Sequence, residues 1–472
     1  MSVCVAVLAA GQGTRMRSER PKVLHELAGW PMVRHVLETA RQVADFAPAL
    51  VIGYQADLVR QTLGDGDGEA GSPGHRWHYV FQPQQLGTGH ALLQCEGALA
   101  GLADNVLALV GDIPLIQAET LRRMLRRHQE VGATVTVLTF VPDKAEGYGR
   151  IVRDSAGRVI GIVEDKVATD EQKAIGEVNS GILCFRDDWV WSALKSLQAS
   201  AVGEYFLTDL VAAAMEQGLH VEGVVVDDPL EVMGVDDRVR LAAAAQVLRQ
   251  RLNEKWMRAG VTIADPAATY LDMEVELGQD TIILPNTHVQ GATRIGRRCV
   301  IGPNSVITDC QIGDDCHVKA SFAEQAVLED GVDIGPFAHL RSGAHLARGV
   351  HMGNFGEVKR SYLGPGTKMG HFSYIGDAVV GADVNIGAGT VTCNYDGKRK
   401  NKTVIGDRAF IGSDTMLVAP VEVGAGARIG AGSVVTHDDL QTPSRMACLP
   451  ECAARSNKRK GRSREWLGWR GV

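Results

Sequence analysis

From Ile405 onward an aliphatic residue returns at every sixth position: Ile405, Ile411, Leu417, Val423, Ile429 and Val435. A small residue often follows, as at Gly406, Gly412, Gly424 and Gly430, and small or β-branched side chains stand four places on, at Ala409, Thr415, Val421, Ala427 and Ser433. No α-helix repeats every six residues. The period predicts a parallel β-helix, with one short strand and one corner per hexad. Fainter copies at Ile375, Ile334, Ile312, Ile301 and Ile295 extend the pattern toward the middle of the chain. The competing reading, a glycine-rich strand-and-loop domain, needs this spacing to be accidental.

The first half is built differently. An apolar strand, Val3 to Leu8, runs into Ala9-Ala10-Gly11-Gln12-Gly13-Thr14-Arg15-Met16. A helical pattern covers Met32 to Val43, then Val106–Val110 reads as strand, Glu119–Val131 as helix and Thr134–Thr139 as strand. That alternation predicts a layered α/β domain on a mostly parallel sheet. Two grammars predict two domains, 1–236 and 261–472, with 237–260 as a helical linker. The Ala-, Leu-, Gln- and Arg-rich run Val239–Arg258 supplies that helix and Gly260 its stop. Gly64–Gly74 reads as a surface loop, and Asn394–Lys402 as a polar, basic excursion from the hexads. The basic tail after Pro450 reads as a solvated terminus, with an anion-contacting arm as the minority alternative.

A formal charge of −7 argues against a nucleic-acid binder. Nine scattered cysteines with no C-x-x-C pair suggest neither a zinc ribbon nor a disulfide framework, so reduced thiols in a cytoplasmic enzyme are expected. No basic segment followed by an apolar core opens the chain, and no run of about twenty apolar residues occurs. Neither a signal peptide nor a membrane span is therefore expected.

Gly11 to Arg15 lies where a strand ends. Glycines there let backbone N–H groups approach a phosphate, Arg15 can fork onto its oxygens, and Lys22 adds a point charge. The segment is not a dinucleotide fingerprint or a P-loop, and a merely structural turn fits it as well. Gln82 and Gln85-Leu86-Gly87-Thr88-Gly89-His90 offer amides and bare backbone that could read a base edge. Gly111-Asp112 places a carboxylate at the C-terminal edge of the sheet, where α/β proteins bind ligands. Mg²⁺ is commonly held by a carboxylate together with substrate phosphates, and a helix-capping aspartate is the plainer alternative. Glu231, Asp236 and Asp237 provide further carboxylates.

In the second half, Arg341 and Lys359 could clamp a phosphate, Tyr374 and Asn385 could fix hydroxyls, and His371 could accept a proton. The residues alone leave His288, His317, His339, His345, His351 and His437 as rivals to His371.

The motifs Leu8-Ala-Ala-Gly-x-Gly-Thr-Arg-Met, Pro21-Lys22, Gln85-Leu-Gly-Thr-Gly-His90, Gly147-Tyr-Gly-Arg150, Glu164, Asn179-Ser-Gly181 and Glu204-Tyr-x-x-Thr-Asp209 resemble those of sugar-1-phosphate nucleotidyltransferases. With the hexads attached, nearly the whole chain resembles the bacterial bifunctional N-acetylglucosamine-1-phosphate uridylyltransferase/glucosamine-1-phosphate N-acetyltransferase family. The resemblance implies a Rossmann-like nucleotidyltransferase domain with a mixed sheet, and a left-handed β-helix that associates as a homotrimer. It implies uridine nucleotide against Leu8, Ala9, Ala10, Gly11, Lys22, Gln82, Gly87, Thr88 and Gly111. It further implies an amino-sugar pocket at Gly149, Glu164 and Asn179, and Mg²⁺ on Asp112 and Asp236. Arg15 and Lys22 would neutralise charge during uridylyl transfer from UTP.

In the second half the resemblance makes His371 the proton acceptor of an acetyltransferase. Glucosamine 1-phosphate would meet Arg341, Lys359, Tyr374 and Asn385. Acetyl-CoA would meet Ala388, Asn394, Tyr395, Lys400, Ser413 and Ala431. Three positions depart from the family pattern: Val110 replaces a tyrosine, Asp236 an asparagine, and Cys448 an arginine for coenzyme phosphate, for which Arg445 or Arg455 could substitute. The alternatives are a nucleotidyltransferase whose β-helix only assembles or regulates it, and a non-catalytic scaffold.

Overall fold

A computed structural model describes residues 2–64, 76–200 and 203–438. Most of the Gly64–Gly74 loop, Arg445, Cys448, Arg455 and the basic tail lie outside the described residues. The chain forms two compact units, Met1–Lys255 with Tyr270–Glu274 and Trp256–Thr269 with Val275–Val472. The short segment joins the first unit because Met273 N donates to Ala28 O, and the Glu274 carboxylate accepts from Trp30 and Arg34. One helix, Arg238–Arg258, spans the junction in sequence, and Gly260 follows it with φ +93°.

The first unit holds a nine-stranded mixed sheet. Its main path runs Val221–Val225, Val135–Phe140, Val178–Arg186, Asn105–Val110, Val3–Leu8, Ala49–Ile52, His78–Phe81. Val3–Leu8 is buried at every residue and pairs in parallel with Ala49–Ile52 on one side and Asn105–Val110 on the other. Chain order therefore reverses at this strand, which opens a crevice beyond the carboxyl ends of Leu8 and Val110. Val178–Arg186 runs antiparallel to both neighbours and brings Asn179 toward that end of the sheet. Helices Met32–Arg41 and Ala118–Glu130 each turn an apolar stripe inward, burying Val33, Val36 and Leu37 in one and Leu121, Met124 and Leu125 in the other.

The second unit is a left-handed parallel β-helix whose three faces carry ten, ten and nine strands among the described residues. The hexad aliphatics visit the faces in rotation. Ile405 lies on the third, Ile411 on the first and Leu417 on the second, and each is fully buried or nearly so. The small residue after each aliphatic has a steric cause. A Cβ on Gly406 would lie 2.5 Å from Ala425 N, and one on Gly412 would lie 2.5 Å from Ala431 N in the next coil. At other corners a stacked aspartate receives the backbone below it. Asp314 Oδ1 accepts from Arg297 N, Asp330 Oδ1 from Asp314 N, and Asp407 Oδ1 from Ala382 N, each at 2.8 Å. The Asn394–Lys402 excursion is a formed hairpin. Tyr395 pairs with Lys400, and Asp396 accepts from the Lys398 and Arg399 amides.

Candidate functional sites

In the first unit, Lys22 leads a short 3₁₀ turn anchored by buried Val23 and Leu24. Its stem passes across Gly13, where any Cβ would collide with it, and Gly13 itself sits at φ +68°. The Lys22 ammonium donates to the Asp112 carboxylate and, at 3.1 Å, to Asp236 Oδ1. Arg15 reaches the same Asp236 oxygen at 2.9 Å. The two aspartates are drawn together by the backbone, for Val235 N donates to Asp112 O at 2.9 Å and the Val235 side chain is buried. Burial disfavours the charged amine of Lys22, but Asp112 and then Asp236 outweigh it and hold its pKa above the usual lysine range.

The crevice above them is a cavity of about 310 Å³. Leu8, Ala9, Ala10, Gly11, Lys22, Gln82, Gly87, Thr88 and Asp112 line it, all expected from the sequence. A Cβ on Gly11 would meet nothing within 4 Å, so the bare backbone there faces open space where a ligand can approach. Gln82 is buried and donates to Gly87 O at 3.2 Å, and Thr88 Oγ1 accepts from Leu207 N at 2.9 Å. Gly111 packs tightly beneath, where a Cβ would lie 3.1 Å from that of Ala9. Gly149, Glu164 and Asn179 form a second group. Asn179 N donates to Gly149 O at 2.8 Å, and a Cβ on Gly149 would lie 3.5 Å from Glu164 Oε1. Val110 borders the cavity and faces Gly181, two residues beyond Asn179.

Of the other carboxylates in that stretch, neither joins the pair. Glu231 is buried and accepts from the Gln117 amide, and Asp237 accepts from Arg240 N at the start of the long helix. Arg240 belongs to none of the sequence motifs, yet it reaches this site. Its Nη1 lies 3.7 Å from Asp236 and donates to Tyr148 Oη at 3.1 Å. The i,i+4 spacing from Asp236 was the available signal. Glu204 and Phe206 also line the cavity.

In the second unit, a cavity of about 630 Å³ lies on the first face of the β-helix. It brings together His371, Asn385, Ala388, Ser413 and Ala431. His371 follows the strand Lys368–Met369 and precedes Ser373–Gly376, so its exposed ring sits at the corner between the first and second faces. Arg341, Lys359 and Tyr374 lie on the second face, in strands that pair Arg341 with Lys359 and Lys359 with Gly376.

Asn394, Tyr395 and Lys400 do not line the cavity. Asn394 instead joins the second-face group, donating to Tyr374 Oη at 3.4 Å and to Asp377 Oδ2 at 2.5 Å. Arg341, then Lys400 and Arg360, depress the Lys359 pKa by repulsion, which Asp377 partly opposes. Such crowding of cations suits an anionic ligand. Asp377, which also pairs with Arg360 at 2.9 Å, carried no sequence signal. Lys368, Phe410 and Arg428 line the cavity from positions just before a hexad aliphatic, where side chains point outward.

The described cysteines are all free thiols, and no helix among the described residues is long and apolar enough to cross a membrane.

Residues 5–206 match the family model of MobA-like NTP transferase domains. Residues 274–309 and 402–437 match that of the bacterial transferase hexapeptide. The chain is 50% identical over 434 residues to the bifunctional protein GlmU of Trichlorobacter lovleyi, covering 92% of this chain and 93% of that one. It is 47% identical to the GlmU of Heliobacterium modesticaldum, covering 92% of each. The GlmU of Syntrophomonas wolfei is 43% identical over 98% of this chain and 100% of its own.

Proposed function

The chain belongs to the GlmU family of bifunctional transferases, and on that premise we propose how its two sites divide the work. The enzyme acetylates glucosamine 1-phosphate with acetyl-CoA. It then transfers UMP from UTP to the resulting N-acetylglucosamine 1-phosphate, releasing pyrophosphate and UDP-N-acetylglucosamine, a cell-envelope precursor. The observation that supports this division is the presence of two separate polar centres. One is a lysine bridging two aspartates at the switch point of an α/β sheet, and the other a histidine at the end of a cavity on the β-helix.

In the first centre, the uridine nucleotide lies along Leu8–Gly11, Gln82, Gly87 and Thr88, and the amino sugar against Gly149, Glu164 and Asn179. A sugar phosphate oxygen attacks the α-phosphorus. The nucleophile is already anionic, so no general base is needed, and Arg15 and Lys22 offset the charge on the phosphates. Asp112 and Asp236 would hold Mg²⁺, and the donor set fits: two carboxylates already share one cation, the Lys22 ammonium. Bound there, the ion adds positive charge beside the reacting phosphates.

In the second centre, Arg341 and Lys359 take the phosphate of glucosamine 1-phosphate. Tyr374 and Asn385 orient the sugar, and Asn394 and Tyr395 the amine and thioester. His371 removes a proton from the 2-amino group as its nitrogen attacks the thioester carbonyl, and the coenzyme thiol departs. A backbone N–H, that of Ala388, steadies the oxyanion. Ser413 and Ala431 line the coenzyme channel, and Lys400 reaches a phosphate. The exposure of the His371 ring supports a homotrimer in which neighbouring β-helices complete the site. Free thiols support a cytoplasmic setting.

The decisive assay supplies glucosamine 1-phosphate and acetyl-CoA and follows free thiol. In parallel it supplies UTP, N-acetylglucosamine 1-phosphate and Mg²⁺ and follows pyrophosphate. Both products are expected from the intact chain; absence of thiol release sinks the acetyltransferase assignment, and absence of pyrophosphate sinks the uridylyltransferase one.

A further inference from the structure

We propose that Arg428 binds the phosphates at the nucleotide end of the acetyl-CoA co-substrate. The inference deepens the reading of the first-face cavity as the coenzyme channel and rests on it. The wall of that cavity is a register column. Lys368 pairs with Asn385, Asn385 with Phe410, and Phe410 with Arg428, on successive parallel strands. Beside it, at the corner, the coil carrying His371 is followed by coils carrying Ala388, Ser413 and Ala431. Small residues in three consecutive coils leave a gutter along which an extended acyl-carrying arm can lie. Strands in register stand about 4.8 Å apart, so Arg428 lies about 14 Å along the coil axis from Lys368, whose coil holds His371.

The chemistry of the co-substrate orients it in this gutter. Its thioester must meet the His371 end, where the proton is taken, and its anionic nucleotide end then points the other way. At that far end the cavity presents a cation. The Arg428 guanidinium sits 5.1 Å from the centroid of the Phe410 ring, which holds it on the face. Arg294, Arg298, Arg341 and Arg360 each pair with a carboxylate. Among the described residues Arg297, Arg348, Arg408 and Arg428 make no such ion pair, and of these four Arg428 alone lines the cavity, so its charge stands where a ligand can meet it.

The test measures binding of coenzyme A, dephospho-coenzyme A and pantetheine to the full chain by calorimetry, for wild type, Arg428→Gln, Arg428→Lys and Ala431→Trp. Loss of a charge-assisted contact weakens coenzyme A about 10- to 100-fold in Arg428→Gln. Pantetheine, which lacks phosphate, is expected to bind all variants at position 428 alike, and Arg428→Lys to recover part of the loss. A matching rise in KM for acetyl-CoA with kcat held at saturation is the kinetic counterpart. Dephospho-coenzyme A separates the two phosphate groups: if it loses as much as coenzyme A, Arg428 meets the diphosphate, and if it loses nothing, the 3′-phosphate.

Unchanged coenzyme A binding in Arg428→Gln, with binding lost in Ala431→Trp, overturns the Arg428 assignment and leaves the channel standing. Unchanged binding in both removes the channel, and the assignment with it. Equal weakening of coenzyme A and pantetheine by Arg428→Gln also overturns the proposal, since charge is then not what the residue contributes.

Discussion

The Lys22 ammonium donates to Asp236 Oδ1 at 3.1 Å across 214 residues of chain, while also bonding Asp112. One cation thus ties the end of the central sheet to the start of the long helix. Removing it takes away the cation that Asp112 and Asp236 share and leaves Asp236 with Arg15 and Arg240 alone. Lys22→Ala is expected to lower uridylyl kcat/KM by at least 100-fold, read by pyrophosphate release, while acetyl transfer stays near normal.

His371 and Asp112 belong to different compact units. His371→Ala is expected to cut thiol release by about 10²- to 10⁴-fold, the usual share of a general base, and to leave pyrophosphate release intact. Asp112→Ala should do the reverse. Loss of both activities in either folded variant would show that the sites are not independent.

Metal dependence should divide the same way. Chelation with EDTA is expected to abolish pyrophosphate release and spare thiol release. Asp236→Asn keeps an oxygen donor but removes a charge, so the Mg²⁺ concentration for half-maximal uridylyl transfer should rise. A half-maximal Mg²⁺ concentration equal to that of wild type would remove Asp236 from the metal site.

Acid sensitivity of the first unit follows from two buried histidines. Burial pushes His35 down to about 4, partly offset by its bond to Leu27 O, and burial and then Arg186 push His128 down to about 4. Both are neutral in the folded chain near pH 7. Because their folded pKa is depressed, the unfolded chain binds more protons once pH drops below the ordinary histidine value. Stability is therefore full above about pH 6.5 and declines toward pH 4, by on the order of 3 kcal/mol per group. Urea midpoints measured at pH 7.5 and 5 should show the loss, and His128→Gln should shrink it.

Gly412 tests the corner rule. Its would-be Cβ lies 2.5 Å from the Ala431 backbone, so Gly412→Ala is expected to destabilise the β-helix by about 1–3 kcal/mol, the usual range for overpacking. A melting temperature equal to wild type would mean that the coils can separate more easily than their packing suggests.

The β-helix was legible because its constraint is local and repeats: each hexad needs an inward aliphatic and a corner small enough for the next coil's backbone. The α/β unit was legible for the same reason in its buried strands, and Val3–Leu8 fell where alternation and composition placed it. Helix ends were less exact. The helix expected from Met32 to Val43 ends at Arg41, because the Gln42 and Val43 amides turn back to Thr39 and Ala40 carbonyls in a final tight turn.

Convergence over long distances was not visible from residues alone. Nothing local marks Asp236, rather than Glu231 or Asp237, as the partner of Asp112. That choice is made by a backbone bond from Val235 to Asp112 O. The grouping of Asn394 with Tyr374 and Asp377 likewise depends on how the excursion folds back onto the second face. Arg428 was hidden because its position in the hexad accepts almost any outward side chain.

The Asn394–Lys402 hairpin leaves the stacking around it undisturbed. Leu363 pairs with Val380, 17 residues on, whereas Val380 pairs with Ile405, 25 residues on, yet both rungs are parallel and in step. A coil can thus lengthen at a corner without shifting the ones above or below it. Such a scaffold can gain new contacts by lengthening a corner, one coil at a time, and keep its core unchanged while it does so.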